Sequence, residues 1–312
     1  MIPFSTRARI ISVASGKGGA GKTNVSVNLA VSFAQAGDNT MLIDCDMGLA
    51  NAAILLGMPS AWTIGDLLAG RCALDDLLQT GPAGLRFLPG HSGTGSGSTL
   101  SATERARLME ALEPHLADYD QVVIDTGGGL EASALALVAS ADTPLIVLTP
   151  EPTSFVDAYA VVKALNVAHG TAGFDIVANM VRHDVAGRQL FDRFRAIAGR
   201  FLDVELSYAG AIPADNYVKE AVLRKRCVVE TFPGAPASRA FAALARRLAA
   251  PAPMLPPERL FADSTRATMP IWARSSTSIA EATRAWTCQA IRRTSGMCAR
   301  TSASGVGFAC LA

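Results

Sequence analysis

Short apolar runs alternate along the chain with stretches in which apolar positions recur every three or four residues. The runs Arg9–Ala14, Thr40–Ile43, Leu85–Leu88, Gln121–Ile124, Leu145–Leu148, Asp175–Ala178 and Tyr208–Ile212 carry few charges, as expected of strands buried on both faces. Between them the helical period predicts helices over Asn24–Ala36, Thr103–Leu116, Ala158–Ala168, Arg188–Phe201, Val218–Cys227 and Ser238–Leu248. Strand and helix therefore alternate over about 240 residues, which predicts an α/β fold: a doubly wound, mostly parallel sheet with helices on both faces. Ligands in such sheets bind beyond the carboxyl ends of the strands.

The alternation stops at Pro251, where Pro-Ala-Pro-Met-Leu-Pro-Pro begins. The expected organisation is a single domain over 1–250, followed by a proline-containing linker and arginine-rich tail over 251–312. Residues 259–312 hold seven arginines, no lysine, and only Asp263 and Glu281, a charge of +5. Since the whole chain is +1, the first 258 residues are −4. The tail reads as disordered or weakly helical. Its stretch Ile279–Arg293, with Trp286 and Ile291 among arginines, suits a membrane surface; the competing reading is a segment without function or from a shifted reading frame.

Half the chain is apolar and 18% is charged, which excludes disordered, collagenous and coiled-coil classes. The near-neutral charge supplies no global field for nucleic acid or anionic lipid. Six scattered cysteines, with no C-x-x-C pair, suggest neither a zinc site nor a disulfide framework. The first nine residues lack a signal-peptide pattern. The most apolar region, Ala132–Pro150, is interrupted by Asp142 and Pro144 and is too broken for a membrane span. A reduced, cytoplasmic chain is expected.

The strongest chemical signal is Gly16-Lys17-Gly18-Gly19-Ala20-Gly21-Lys22-Thr23. It fits G-x-x-x-x-G-K-[ST] and lies between a predicted strand and a predicted helix, as a nucleotide-phosphate loop requires. Glycines let backbone N–H groups turn inward around phosphates, and the helix that follows adds the positive end of its dipole. Lys22 is expected to neutralise the β- and γ-phosphates and Thr23 to ligate Mg²⁺. A second lysine, Lys17, has two readings: solvated, or directed at the nucleotide of a partner subunit, where it would act like an arginine finger.

Two further segments end strands in acids. In Ile43-Asp44-Cys45-Asp46, Asp46 would orient the attacking water and Asp44 would help hold the metal's water shell; capping of the next helix is the plainer alternative. In Val122-Val123-Ile124-Asp125-Thr126-Gly127-Gly128-Gly129, Asp125 is a Walker B candidate for Mg²⁺. The glycines after it suit a segment that moves when the γ-phosphate leaves.

With these motifs in series the chain resembles the deviant-Walker-A ATPases of the MinD/ParA class, and within it the FlhG/FleN branch of flagellar-number regulators. The likeness runs from about Arg9 to Leu248 and rests on Ser15–Leu29, Asp46–Asn51, Gly81–Gly90, Glu151-Pro152-Thr153-Ser154 with Asp157-Ala158-Tyr159, and Ala178-Asn179-Met180. It implies an ATP-binding, slowly hydrolysing switch that forms a face-to-face homodimer around two ATP molecules. Lys17 would be the signature lysine crossing to the partner's phosphates, Asp46 the switch I acid and Asp125 the switch II acid. Gly18, Gly19, Ala20, Gly21, Lys22, Thr23 and Asn24 would surround the phosphates, while Asn179, Pro213 and Asp215 match positions that contact adenine.

The resemblance also implies a flagellar partner, either a transcription regulator or a GTPase of the signal-recognition-particle type, and a location at the inner face of the membrane or the cell pole. Two departures bear on this. After Leu255 there is no leucine-rich amphipathic helix of the membrane-docking kind, and no Asp-Gln-Ala segment precedes Arg9, so stimulation of the GTPase is not expected. The rival readings are a ParA-like partitioning ATPase, with Lys219, Arg224, Lys225 and Arg226 as its basic patch for nonspecific DNA, and a MinD-like division-site regulator.

Overall fold

A computed structural model describes residues 8–46, 51–90 and 101–249. The linker and tail expected over 251–312 lie outside the described residues, as do Met47–Ala50 of the Asp46–Asn51 segment. In chain order the elements are β1 (Arg9–Ala14), α1 (Lys22–Ala36), β2 (Thr40–Cys45), α2 (Asn51–Leu56), α3 (Ile64–Leu68), α4 (Leu74–Leu77), β3 (Gln79–Thr80), β4 (Arg86–Leu88), α5 (Ala102–Leu116) and β5 (Gln121–Thr126). There follow α6 (Ala132–Ser140), β6 (Thr143–Leu148), α7 (Pro152–His169), β7 (Gly173–Val181), α8 (Asp184–Ala198), β8 (Glu205–Pro213), α9 (Asn216–Leu223), α10 (Val228–Thr231) and α11 (Pro236–Ala249).

The strands form one sheet in the order β3-β4-β2-β5-β1-β6-β7-β8, parallel except where β3 meets β4. Every residue of β2, β5 and β6 is buried, so both faces of the sheet are covered. The two-residue side-chain period divides the strands between two cores. Ile11, Val13, Leu42, Val123, Leu145 and Val177 pack with α1, α10 and α11, whereas Ile10, Met41, Ile43, Val122 and Ile124 pack with α3, α4 and α5.

All seven expected strands form, joined by the two-residue β3. All six expected helices begin earlier than the pattern indicated, most of all α7 at Pro152 and α8 at Asp184, with α9 at Asn216 two residues early. The reasons are local. Pro152 occupies the first turn of α7, where its fixed φ and missing N–H cost nothing. His183 and Asp215 cap α8 and α9, each accepting a backbone N–H. The region Ala132–Pro150, too interrupted for a membrane span, is a helix followed by a strand, and among the described residues no helix is long and apolar enough to cross a membrane.

The chain leaves β1 towards β2 on one side of the sheet, while β5 connects past β1 to β6 on the other. The crevice at this reversal, beyond the carboxyl end of β1, is where a doubly wound sheet binds its ligand. The Gly16–Thr23 segment opens there.

Candidate functional site

The loop from β1 to α1 is shaped by close approaches that only glycine permits. A β-carbon on Gly16 would lie 2.2 Å from the main-chain carbonyl carbon of Asp157 in α7, so loop and helix are in backbone contact. Gly21 is left-handed, at φ 87°, and begins α1 without any side-chain cap. The N–H groups of the first turn are thus left to a ligand, with no acidic residue nearby in the turn to compete. Helix α1 is buried along most of its length, from Lys22 to Ala34, which anchors those N–H groups rigidly.

Lys22 is buried, its Nζ 3.2 Å from where a Gly128 β-carbon would stand. The glycine segment after β5 is tied to the same place, because Gly129 N–H donates to the Ser15 carbonyl at 3.2 Å. An alanine at 128 would meet chiefly the far end of the flexible Lys22 side chain and ordinary contacts with Lys17 and Gly18.

Asp44 and Asp125 stand side by side in the β2–β5 ladder, and neither has any solvent exposure. Asp125 accepts a hydrogen bond from Ser26 Oγ at 2.8 Å, and Asp44 Oδ1 accepts the Asp46 N–H at 3.0 Å. The Oδ2 atoms of both have no hydrogen-bond partner. Burial raises the Asp125 carboxyl to about 6, against the opposing pull of hydrogen bonds from Thr23 and Ser26 and the charge of Lys22. Burial, then the neighbouring Asp125, pushes Asp44 well above the ordinary carboxylate range.

Two buried carboxylate oxygens without hydrogen-bond partners beside a phosphate loop suit a cation. The donors are all oxygens: two carboxylates and the Thr23 hydroxyl. Such a sparse oxygen set suits Mg²⁺, which keeps several waters and takes further ligands from phosphate. The expected metal residues Thr23, Asp44 and Asp125 therefore fit the ion. Asp46, half-buried, adjoins them through its N–H and contributes to the electrostatics of both acids.

Lys17 lies at the same mouth but turns to its own chain. Its Nζ donates to Glu151 Oε2 at 2.9 Å and to Thr153 Oγ1 at 2.5 Å, at the start of α7. Asn24 accepts from Asn28 Nδ2 through both its carbonyl and its side chain, at 2.8 and 2.9 Å. Asn28 Oδ1 in turn accepts the Val229 N–H, which links α1 to α10. Asn179, at the end of β7, donates from Nδ2 to the Ala20 carbonyl at 2.9 Å.

Pro213 ends β8 opposite Val181, which places it at the same edge of the sheet as Asn179. Asp215 follows, with Oδ1 accepting the Tyr217 N–H and Oδ2 the Ala237 N–H, at 2.9 and 3.0 Å. It fixes the starts of α9 and α11. The structure thus gathers the phosphate loop, both buried acids, Asp46 and Asn179, with Pro213 and Asp215 along the adjoining edge.

Three contributing residues were not anticipated as such: Ser26, Asn28 and Thr153. Ser26 lies three residues after Thr23, hence on the same helical face, and that spacing was the available signal. Asn28 and Thr153 act through partners more than 130 positions away in sequence, which no local pattern encodes. The basic cluster is less free than its composition suggests. Only Lys219 lies within α9, and Arg224 and Arg226 pair with Glu220 and Glu230.

Residues 8–172 match the family described as "AAA domain". The chain is 45% identical over 240 residues to the antiactivator FleN of Pseudomonas aeruginosa, covering 77% of this chain and 86% of that protein. It is 33% identical to the flagellum site-determining protein YlxH of Helicobacter pylori, covering 72% and 76%. The solved septum site-determining protein MinD of Pyrococcus horikoshii, complexed with Mg-ADP, superposes with a TM-score of 0.61 at 25% identity, covering 77% and 96%.

Proposed function

The chain belongs to the AAA-domain family and to the MinD/ParA class of P-loop ATPases that includes the FleN/FlhG proteins, and from that premise we propose that it is an ATP-driven switch controlling flagellar number and placement and flagellar gene expression. The observation that carries the chemical part is the pair of buried acids, Asp44 and Asp125, whose Oδ2 atoms lack partners beside the phosphate loop. The flagellar part rests on the 45% identity to FleN.

In this reading the inward N–H groups of Gly18–Thr23 and the Lys22 ammonium hold the triphosphate, with Asn24 and the start of α1 completing the cradle. Thr23 and Asp125 would hold Mg²⁺, with Asp44 helping to hold its water shell. The ion, when bound, neutralises charge developing on the β- and γ-phosphate oxygens. Asp46, held at the end of β2 by its N–H bond to Asp44, orients the water that attacks the γ-phosphorus. Slow hydrolysis fits a site whose part is to position the water and balance charge.

Lys17 leaves Glu151 and Thr153 when a second copy docks, and its ammonium then reaches the partner's phosphates. ATP thereby fixes a homodimer, and hydrolysis dissolves it. The dimer is the state that engages a flagellar partner, a transcription regulator or a GTPase of the signal-recognition-particle type, in the cytoplasm at the cell pole or the inner membrane face. DNA partitioning is the weaker reading, because two of the four basic residues offered for it are engaged with glutamates along the chain.

The test is a count of flagella per cell in a strain lacking the gene, complemented with the original or with Lys22→Ala. An abnormal count restored only by the original supports the proposal. A count unaffected by deletion refutes the flagellar role.

A further inference from the structure

By resemblance Asn179 matches a position that contacts adenine, yet in this structure its amide serves the phosphate loop. It is buried, and its Nδ2 donates to the carbonyl of Ala20 at 2.9 Å across 159 positions of sequence. Only the amide nitrogen of that side chain donates. Its reach is enforced by the next loop residue. A β-carbon on Gly21 would stand 2.5 Å from the same Nδ2 and 3.3 Å from Met180 Cε, so Gly21, at φ 87°, lets the loop settle directly on this pair of side chains.

The backbone of β7 is distorted at this point. Its pairing with β8 shifts register between Ala178 and Val181, and Met180 between them takes a left-handed φ of 56°, a conformation uncommon for a side chain of its size. Irregularities of this kind in a strand re-aim a side chain next to a functional site. Here the side chain before the distortion is the one that meets the loop.

We propose that Asn179 is a positioning residue for the phosphate loop: it braces the Ala20–Gly21 peptide in the phosphate-binding conformation, so that grip on the phosphates depends on Asn179 whatever base the nucleotide carries. The proposal deepens the reading of this loop as a nucleotide site and rests on it. A residue that only reads the base would leave the empty loop and a base-free polyphosphate indifferent to its replacement. A brace would not.

The experiment compares the full chain with Asn179→Ala and Asn179→Leu, the second keeping the branched shape while removing the donor, and with Val185→Ala, at an exposed position of α8, as a substitution that keeps the brace. The first readout needs no ligand: backbone amide order parameters of Gly18, Gly19, Ala20 and Gly21 in the nucleotide-free protein. With the brace intact they lie near the rigid value of about 0.85, and in both Asn179 variants they fall towards about 0.6 while α8 and β5 stay unchanged.

The second readout is the affinity for Mg²⁺-tripolyphosphate beside that for Mg²⁺-ATP. Both should weaken in the Asn179 variants by a similar factor, about 3- to 10-fold for one lost hydrogen bond, and neither should weaken in Val185→Ala. Unchanged order parameters, or a loss confined to ATP with tripolyphosphate unaffected, would overturn the brace. If the unaltered chain bound neither ligand, the nucleotide reading would fail. The ligand-free order parameters would still decide whether Asn179 holds the loop.

Discussion

Replacing Asp125 with Asn should stabilise the nucleotide-free protein at neutral pH and destroy its use of magnesium. The Asp125 carboxylate is fully buried, one oxygen is without a partner, and Asp44 stands beside it in the ladder. Its pKa is raised from 3.8 to about 6. The folded chain therefore holds a proton that the unfolded chain has released between these values. Stability contributed by the protonated form is fully present below pH 3.8 and is lost as pH rises through about 6. At 1.36 kcal/mol per unit, the ionised group costs the folded state about 3 kcal/mol at pH 7.5.

Asparagine keeps the shape and can still accept from Ser26, but carries no charge to bury. It also removes the charge that helps raise Asp44. In thermal melts of magnesium-free protein, Asp125→Asn should exceed the original by roughly 6–12 °C at pH 7.5, and the gap should close towards pH 4. With Mg²⁺ and ADP the order should invert, since only the original carboxylate gains a cation. A variant equal to or less stable than the original at pH 7.5, or a gap independent of pH, would refute the reasoning.

The remaining expectations concern the loop and its neighbours. Glu151→Ala should ease ATP-dependent dimerisation by freeing Lys17; a partly exposed pair is worth about 0.2–1 kcal/mol and a dimer breaks one in each protomer, so the protein concentration at half-dimer should fall roughly 2- to 30-fold in sedimentation. Gly16→Ala places a methyl 2.2 Å from the Asp157 carbonyl carbon; it should lower the melting temperature and abolish ATP binding by isothermal titration, and Asp157→Ala should not rescue it, because the clash is with main chain. Asp46→Ala should bind ATP within a few-fold of the original while losing turnover in a phosphate-release assay; matching turnover would remove its assigned role.

Much of this was legible in the sequence for identifiable reasons. The buried strands are short runs of Val, Ile and Leu, and the phosphate loop is read from glycine and lysine spacing that has a single mechanical meaning. Asp44 and Asp125 were legible as acids ending strands; that their strands adjoin was not, since pairing β2 with β5 is a matter of sheet order. Elements were missed where the signal was brief. Helix α3 has only five residues, and its sign is the capping box of Thr63 and Asp66. Helix α6 lay within an apolar stretch weighed only as a membrane span. The early start of α7 depended on Pro152, and with it came the contacts that hold Lys17. Asp215, read as a base contact, also ties α9 to α11, a duty visible only once Ala237 is brought beside it.

The most direct test of the central claim is light scattering of the purified chain with and without Mg²⁺-ATP, alongside Lys17→Ala. The chain should scatter as a species of 32.5 kDa without nucleotide and of twice that mass with Mg²⁺-ATP, and Lys17→Ala should bind ATP but stay at the single-chain mass. A chain that binds Mg²⁺-ATP and remains single, or a Lys17→Ala variant that dimerises like the original, would contradict it.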